Sequence, residues 1–449
     1  MLKDKLKHQN LNPAQILVLG FALIILVGGI LLSTPFVTQT GESTGFLKAL
    51  FTSTSAVCVT GLVVVDTGTH WNMAGQIIIL ILIQIGGLGI MTMATSVALI
   101  IGRKISLRSR LIMQEALNQF TIQGVVRLTK YIIITTFVIE GIGAFFLTMN
   151  FIPQYGLPDS IFYGIFHSVS AFCNAGFDII GGGRSLTPYT ENLSVNFIIM
   201  CLIILGGLGF TVIIDLVRSR SYKKLTLHSK IVVMMTLTLI LLGFVLFFVM
   251  EFNNPNTMKD LSLKGKLTAS MFQSVTTRTA GFNTIALDQM YDSSKLLTII
   301  LMFIGGSPGS TAGGMKTTTI ALVVLLIISV VKGRQDVEFS KRRISRDNVN
   351  RALTVVGVGL SIGFVVTFML TITEKGADFI TLLFEAISAL GTVGLSLGYT
   401  SSLSVLGQII IIFTMFAGRV GALTIVFALA AQSENKALIR YPESKVSVG

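Results

Sequence analysis

Charge is scarce in this chain of 449 residues: only 12% of them are Asp, Glu, Lys or Arg, where a soluble domain carries roughly a quarter. It has three cysteines, four histidines, eight prolines and one tryptophan. Cys58, Cys173 and Cys201 are too few and too scattered for a disulfide framework, and free buried thiols are expected. His8, His70, His167 and His228 have no metal-ligand spacing, and no nucleophile is paired with a base, so a metal site or an enzyme has no support. The basic stretch "SKRRISR" is one of several such loops and is not interleaved with aromatics, which argues against nucleic-acid binding.

What is present is apolar: 52% of the residues are hydrophobic. Eight runs, at 14–35, 72–101, 131–151, 193–217, 230–252, 294–331, 352–373 and 404–431, are long enough to cross a hydrocarbon core of ~30 Å. The first follows "MLKDKLKHQN" and leaves through "LLSTPFVTQ" with no A-x-A site, so it is expected as a retained span and not a signal peptide. Basic residues gather at the termini and in every second connection: Lys3, Lys5 and Lys7; Arg103 to Lys130; Arg218 to Lys230; Lys332 to Arg351; Lys436 to Lys445. By the positive-inside rule that side is cytoplasmic, and the net charge of +13 is mainly topology signal. The same surface suits anionic membrane lipid or an acidic partner protein.

Two motifs recur four times. The first is "SAVCVTGL" (55–62), "SAFCNAGF" (170–177), "VTTRTAGF" (275–282) and "SALGTVGL" (388–395), which share a column at Gly61, Gly176, Gly281 and Gly394. The second is "IQIGGLGIM" (83–91), "IILGGLGFT" (203–211), "MFIGGSPGS" (302–310) and "TMFAGRVGA" (414–422), which share small residues at Gly86/Gly87, Gly206/Gly207, Gly305/Gly306 and Ala417/Gly418. Before each first-motif glycine stands a short amphiphilic stretch of about a dozen residues, too short to span. The expected fold is an all-α integral membrane protein of four non-identical helix–pore loop–helix repeats around a central pore, with eight spans and both termini cytoplasmic. The boundaries are a cytoplasmic N-terminus at 1–13, repeats at 14–101, 131–217, 230–331 and 352–431, and a tail at 432–449.

Non-helical backbone at membrane depth is tolerated where it lines a wet cavity, and rings of carbonyls can replace the hydration shell of an alkali cation. The filter expectation therefore covers Val59, Thr60 and Gly61; Asn174, Ala175 and Gly176; Thr279, Ala280 and Gly281; Thr392, Val393 and Gly394. The competing reading is that the glycines only allow close helix packing, which leaves the re-entrant stretches unexplained.

Residues 294–331 as one helix would measure about 57 Å, nearly twice the bilayer core. A break is expected at "GGSPGSTAGGMK" (305–316), an intramembrane gate formed by Gly305, Gly306, Ser307, Pro308, Gly309, Ser310, Thr311, Gly313 and Gly314. A phosphate loop would need Lys directly after its last glycine, and Met315 intervenes. Arg419 lies at the same depth, where a guanidinium must be hydrogen-bonded or face a cavity. Carbonyls freed by the break are its expected acceptors, with a pair to Asp215 or Glu140 as the alternative. Arg278 is expected to point behind its turn toward Glu385, and Lys316 to snorkel toward inner water.

This arrangement resembles the Trk/Ktr/HKT superfamily of potassium and sodium transporters, over about 14–431, and within it the Ktr branch, which lacks extra spans before the first repeat. The resemblance implies filter glycines at Gly61, Gly176, Gly281 and Gly394, and a pore-obstructing loop at 305–316. Glycine at all four places, where the plant sodium-selective branch has a serine in the first, implies potassium in the permeation path. It also implies a homodimer regulated by a cytosolic KTN/RCK-type ring that binds ATP or ADP, in a bacterial cell membrane. No cofactor is expected in this chain, and potassium uptake is either passive or linked to sodium. The alternative is a secondary carrier with a midplane site in a broken helix.

Overall fold

The computed structural model describes residues 13–89 and 124–421, with residues 92, 93, 111 and 114 between them. The expected terminal segments 1–12 and 432–449, the span ends 90–101 and 422–431, and the basic residues Arg103, Lys104, Arg108 and Arg110 lie outside this description, apart from residues 92 and 93.

Among the described residues the helices of ten or more residues are α1 (Pro13–Leu32), α2 (Phe46–Val57), α3 (Met73–Leu88), α4 (Val125–Phe172), α5 (Leu193–Leu208), α6 (Phe210–Ser219) and α7 (Leu227–Glu251). There follow α8 (Leu263–Thr276), α9 (Asp292–Phe303), α10 (Thr317–Val331), α11 (Arg346–Thr373), α12 (Phe379–Gly391) and α13 (Val405–Val420). Among the described residues α1, α4, α7 and α11 are long and apolar enough to cross a membrane, and α5 with α6 forms a bent pair that passes the same test. Helices α3, α10, α12 and α13 are apolar but shorter. Large apolar side chains face outward from the long helices, for example Leu23, Phe145, Leu241 and Phe364. An outward apolar surface of this kind belongs in lipid.

Helix α4 has 48 residues, roughly 70 Å at 1.5 Å per residue. It does not run straight, because Gly156 takes φ 74° between Pro153 and Pro158. The limb 157–172 therefore turns back as the short helix anticipated at that place. Its counterparts α2, α8 and α12, of 12, 14 and 13 residues, match the other three amphiphilic stretches. Serines on three of these helices bond to carbonyls of the preceding long helix: Ser53 to Ile25 at 2.8 Å, Ser168 to Glu140 at 2.7 Å and Ser274 to Ile240 at 2.7 Å. Gly28, Gly143 and Gly243 stand opposite those hydroxyls, where a Cβ would collide with them.

The next helices start on side-chain caps, Asn72 for α3, Asn192 for α5 and Ser404 for α13, each accepting from a backbone N–H of its first turn. Helix α3 packs on α4, α5 on α8, α9 on α12 and α13 on α2, so the chain closes on itself.

Two features depart from the sequence reading. The length of the run 294–331 predicts a break at 305–316, yet α3, α5 and α13 also end at glycines with left-handed φ: Gly89 at 82°, Gly209 at 91° and Gly421 at 91°. At Gly209 the chain turns by 99° into α6. A GGLG run inside an apolar stretch reads as helix packing, and only the geometry exposes its last glycine as a corner. The fold is also not wholly helical: Glu338–Phe339 pairs with Arg342–Arg343 as a two-residue hairpin. Ser340 and Lys341 supply the positive φ values that its tight turn requires.

Candidate functional site

The four glycine turns meet. A Cβ on Gly61 would lie 2.5 Å from the Ala175 carbonyl oxygen and 3.2 Å from the Gly176 Cα. One on Gly176 would meet the Ala280 oxygen and the Gly281 Cα, both at 2.7 Å. One on Gly281 would meet the Val393 oxygen at 2.6 Å and the Gly394 Cα at 3.4 Å, and one on Gly394 would collide with the Thr60 oxygen and the Gly61 Cα. The circuit 61 to 176 to 281 to 394 and back to 61 is closed, and each missing side chain is replaced by backbone of the next turn.

The glycines take φ of 96°, 70°, 78° and 88°, and two residues earlier Val59, Asn174, Thr279 and Thr392 are left-handed as well, at 55°, 59°, 64° and 50°. Such values cost a residue with a side chain on the order of 1–2 kcal/mol, so the turns must be held from outside. Three are held at the same point, where the amides of Thr60, Ala175 and Val393 bond to the oxygens of Ser55, Ser170 and Ser388 at 2.7 to 2.8 Å. The Ser55 and Ser388 hydroxyls also accept from the Gly61 and Gly394 amides. The third turn uses Thr276 instead. Val59, Thr60, Asn174, Ala175, Thr279, Ala280, Thr392 and Val393 are all buried.

On one side of the ring a cavity of about 570 Å³ touches all four glycines and carries Asp66, Asp178 and Asp288 on its wall. Burial and the negative charge of Asp66 push the Asp178 carboxyl up to about 6. On the opposite side sits the loop between α9 and α10. Its neck is closed by a bond from the Gly305 amide to the Met315 oxygen and a bridge between Ile304 and Met315. Ser310 Oγ donates to the Ser307 oxygen at 2.6 Å, and the hydroxyls of Ser307 and Thr317 lie 3.1 Å apart.

The loop is fastened to its neighbours through helix ends. The last four carbonyls of a helix have no partner within it. At the end of α5, Gly206 and Gly207 accept from the amides of Thr311 and Ser307 at 3.2 and 2.9 Å, while the amide of Phe210 returns a bond to Gly309. Thr311 Oγ1 donates to the Phe172 oxygen at 2.9 Å and to Asn174 Oδ1 at 3.1 Å. Pro308 adjoins Gly209, and Gly313 and Gly314 pack so closely on Thr392 and Gly391 that neither glycine has room for a side chain.

At the end of α3 the same need is met by Arg419. Its Nη2 donates to the oxygens of Gly86 and Gly87, and its Nη1 to the Thr311 oxygen at 2.5 Å. The guanidinium thus ties the end of α3 to the loop between α9 and α10. The alternative pairs are excluded: Asp215 accepts from Ser219 and Thr226, and Glu140 accepts from Gln84.

Two expectations fail. Arg278 is buried behind its turn but donates to Thr236 Oγ1 at 3.2 Å, on α7; Glu385 accepts instead from Thr400 at 2.8 Å and from Ser396. Lys316 does not snorkel. Its Nζ donates to the oxygens of Ala312 and Gly313 at 2.8 and 3.2 Å, because the opened loop offers acceptors nearer than water.

A multi-span helical protein whose four glycine turns close into a ring of backbone, with the Arg278 side chain directed away from that ring to Thr236, has the build of a cation-conducting membrane protein. The comparisons agree. Residues 20–441 match the model of the TrkH family, described as cation transport protein, and the chain belongs to that family. It is 42% identical to the Ktr system potassium uptake protein B of Bacillus subtilis, covering 100% of this chain and 99% of the relative. It is 43% identical to the potassium/sodium uptake protein NtpJ of Enterococcus hirae, over the whole of both chains. The crystal structure of the potassium transporter TrkH from Vibrio parahaemolyticus shares the fold, with a TM-score of 0.73 at 18% identity, covering 94% of this chain and 86% of that one.

Proposed function

We propose that the chain carries potassium into the cell through the ring formed at Gly61, Gly176, Gly281 and Gly394, with four repeats and eight spans around one pore. The carrying observation is the closed circuit of glycines, each filled by the neighbouring turn. Carbonyls of Val59 and Thr60, Asn174 and Ala175, Thr279 and Ala280, and Thr392 and Val393 are the ion's ligands in this reading. Glycine is required because any side chain would displace the next turn's backbone.

The loop 305–316 is the gate, and Arg419 is its latch and a positive barrier to a cation in the path. The outer cavity concentrates cations through Asp66, Asp178 and Asp288, and the basic loops face the cytoplasm of a bacterial inner membrane. Regulation comes from a second, nucleotide-binding chain on that side, a reading supported by relatives named as one protein of a Ktr system. The membrane part works as a homodimer, and the hairpin bearing Lys341, Arg342 and Arg343 is a docking surface for the regulator. The potassium/sodium name of the Enterococcus relative supports a sodium-dependent mode.

The test is rubidium uptake into a potassium-starved strain. Gly61→Asp is expected to abolish it. Uptake at the unsubstituted level would favour a carrier whose site lies in the broken helices.

A further inference from the structure

The four seams between successive copies are built alike, and one of them is chemically different. At each seam the position two before the paired small residues and the position three before the glycine that faces the short helix belong to the same cluster or crevice. In the second-to-third seam these are Ile204 and Ile240, in one apolar cluster. In the fourth-to-first seam they are Met415 and Ile25, again in one apolar cluster. In the third-to-fourth seam they are Phe303 and Leu360, on the wall of a wholly apolar crevice of about 320 Å³. In the first-to-second seam they are Gln84 and Glu140, in the matching crevice of about 340 Å³.

Burying a carboxyl and an amide inside a span is costly, and apolar residues fill the other three seams without that cost. What the pair touches explains its place. Gln84 Nε2 donates to Glu140 Oε2 at 3.2 Å, and the Cys173 thiol lies 3.7 Å from both Gln84 Oε1 and Glu140 Oε1. Cys173 directly precedes Asn174, the left-handed residue of the second turn. Asn174 is itself clasped from below by Thr311 and donates through Nδ2 to the Arg278 oxygen of the third turn at 3.2 Å. Among the described residues, the second turn alone is held by side chains both from the gate loop and from the seam.

We propose that Gln84 and Glu140 are positioning residues for ion selection: they brace Cys173, and through it fix the carbonyls of the second turn. The proposal rests on the filter reading of the ring. Removing one such hydrogen bond should widen the turn's excursions and lower the preference for rubidium over sodium roughly two- to tenfold.

The test measures influx of radiolabelled rubidium and sodium into liposomes holding the purified full-length protein. Glu140→Ile, which installs the residue of two other seams, is expected to lower the rubidium-to-sodium ratio, and Glu140→Gln, which keeps a hydrogen-bonding head, to recover most of it. Gln84→Leu provides the same reading should Glu140→Ile fail to fold. An unchanged ratio in Glu140→Ile, or in Gln84→Leu where it stands in, overturns the brace, as does an equal loss in Glu140→Ile and Glu140→Gln. Gly176→Ala runs alongside: a changed ratio there with none in the seam variants rejects the brace alone, while an unchanged ratio rejects the filter reading and the brace with it.

Discussion

Replacing Arg419 with alanine is expected to raise cation flux, and the structure sets the size of the effect. The guanidinium gives the loop one charge-assisted bond, to the Thr311 oxygen at 2.5 Å, while its other amino group holds the end of α3 through Gly86 and Gly87. A hydrogen bond to a charged group contributes about 1.5–3 kcal/mol. At about 1.4 kcal/mol per factor of ten, losing the Thr311 bond alone shifts the balance away from the closed position of the proposed gate roughly 10- to 150-fold. The lost charge acts in the same direction, since a cation ~4 Å from a guanidinium meets about 4 kcal/mol of repulsion at an effective dielectric constant of ~20. The assay is rubidium influx into potassium-loaded liposomes at matched protein content. Arg419→Lys divides the effect: it keeps the charge and loses the fork, so a flux near that of Arg419→Ala assigns the barrier to the latch. Equal flux in Arg419→Ala and the unsubstituted protein would refute the reasoning.

Three further outcomes are expected. Gly176→Ala places a methyl 2.7 Å from the Ala280 oxygen at a φ of 70°, and rubidium uptake should lose its preference over sodium. Asp178, with its carboxyl pushed up to about 6, is charged above that pH and neutral below it. The half-saturating rubidium concentration should therefore rise as external pH falls through about 6, and Asp178→Asn should flatten that profile. Lys316→Met removes the two bonds to Ala312 and Gly313; flux should rise by less than in Arg419→Ala, because Lys316 ties the loop only to itself.

Much of this was legible in the sequence because membrane geometry restricts what a motif can mean. Four glycines in one column after helices too short to span have few arrangements, and the ring follows once the seams close in chain order. The run through Pro308 was too long for one span, so its break could be read directly. Arg419 was legible for a related reason: a guanidinium at that depth needs acceptors, and opened helix ends supply them.

The rest depended on which side chain meets which. Arg278 and Glu385 suit each other in charge, but they bond to Thr236 and Thr400. Lys316 found its acceptors in the loop that carries it. Gln84 and Glu140 did carry a signal, as polar residues in columns otherwise filled by Ile, Leu, Phe and Met. Glu140 is the odd member when Ile25, Glu140, Ile240 and Leu360 are set in one column.

The most direct test of the central claim is anomalous diffraction from crystals of the protein grown with rubidium in place of potassium. A rubidium peak is expected on the axis of the ring, touching carbonyl oxygens from all four turns at Gly61, Gly176, Gly281 and Gly394. A peak confined to the broken helices around 305–316 or Gly209, with none inside the ring, would contradict it.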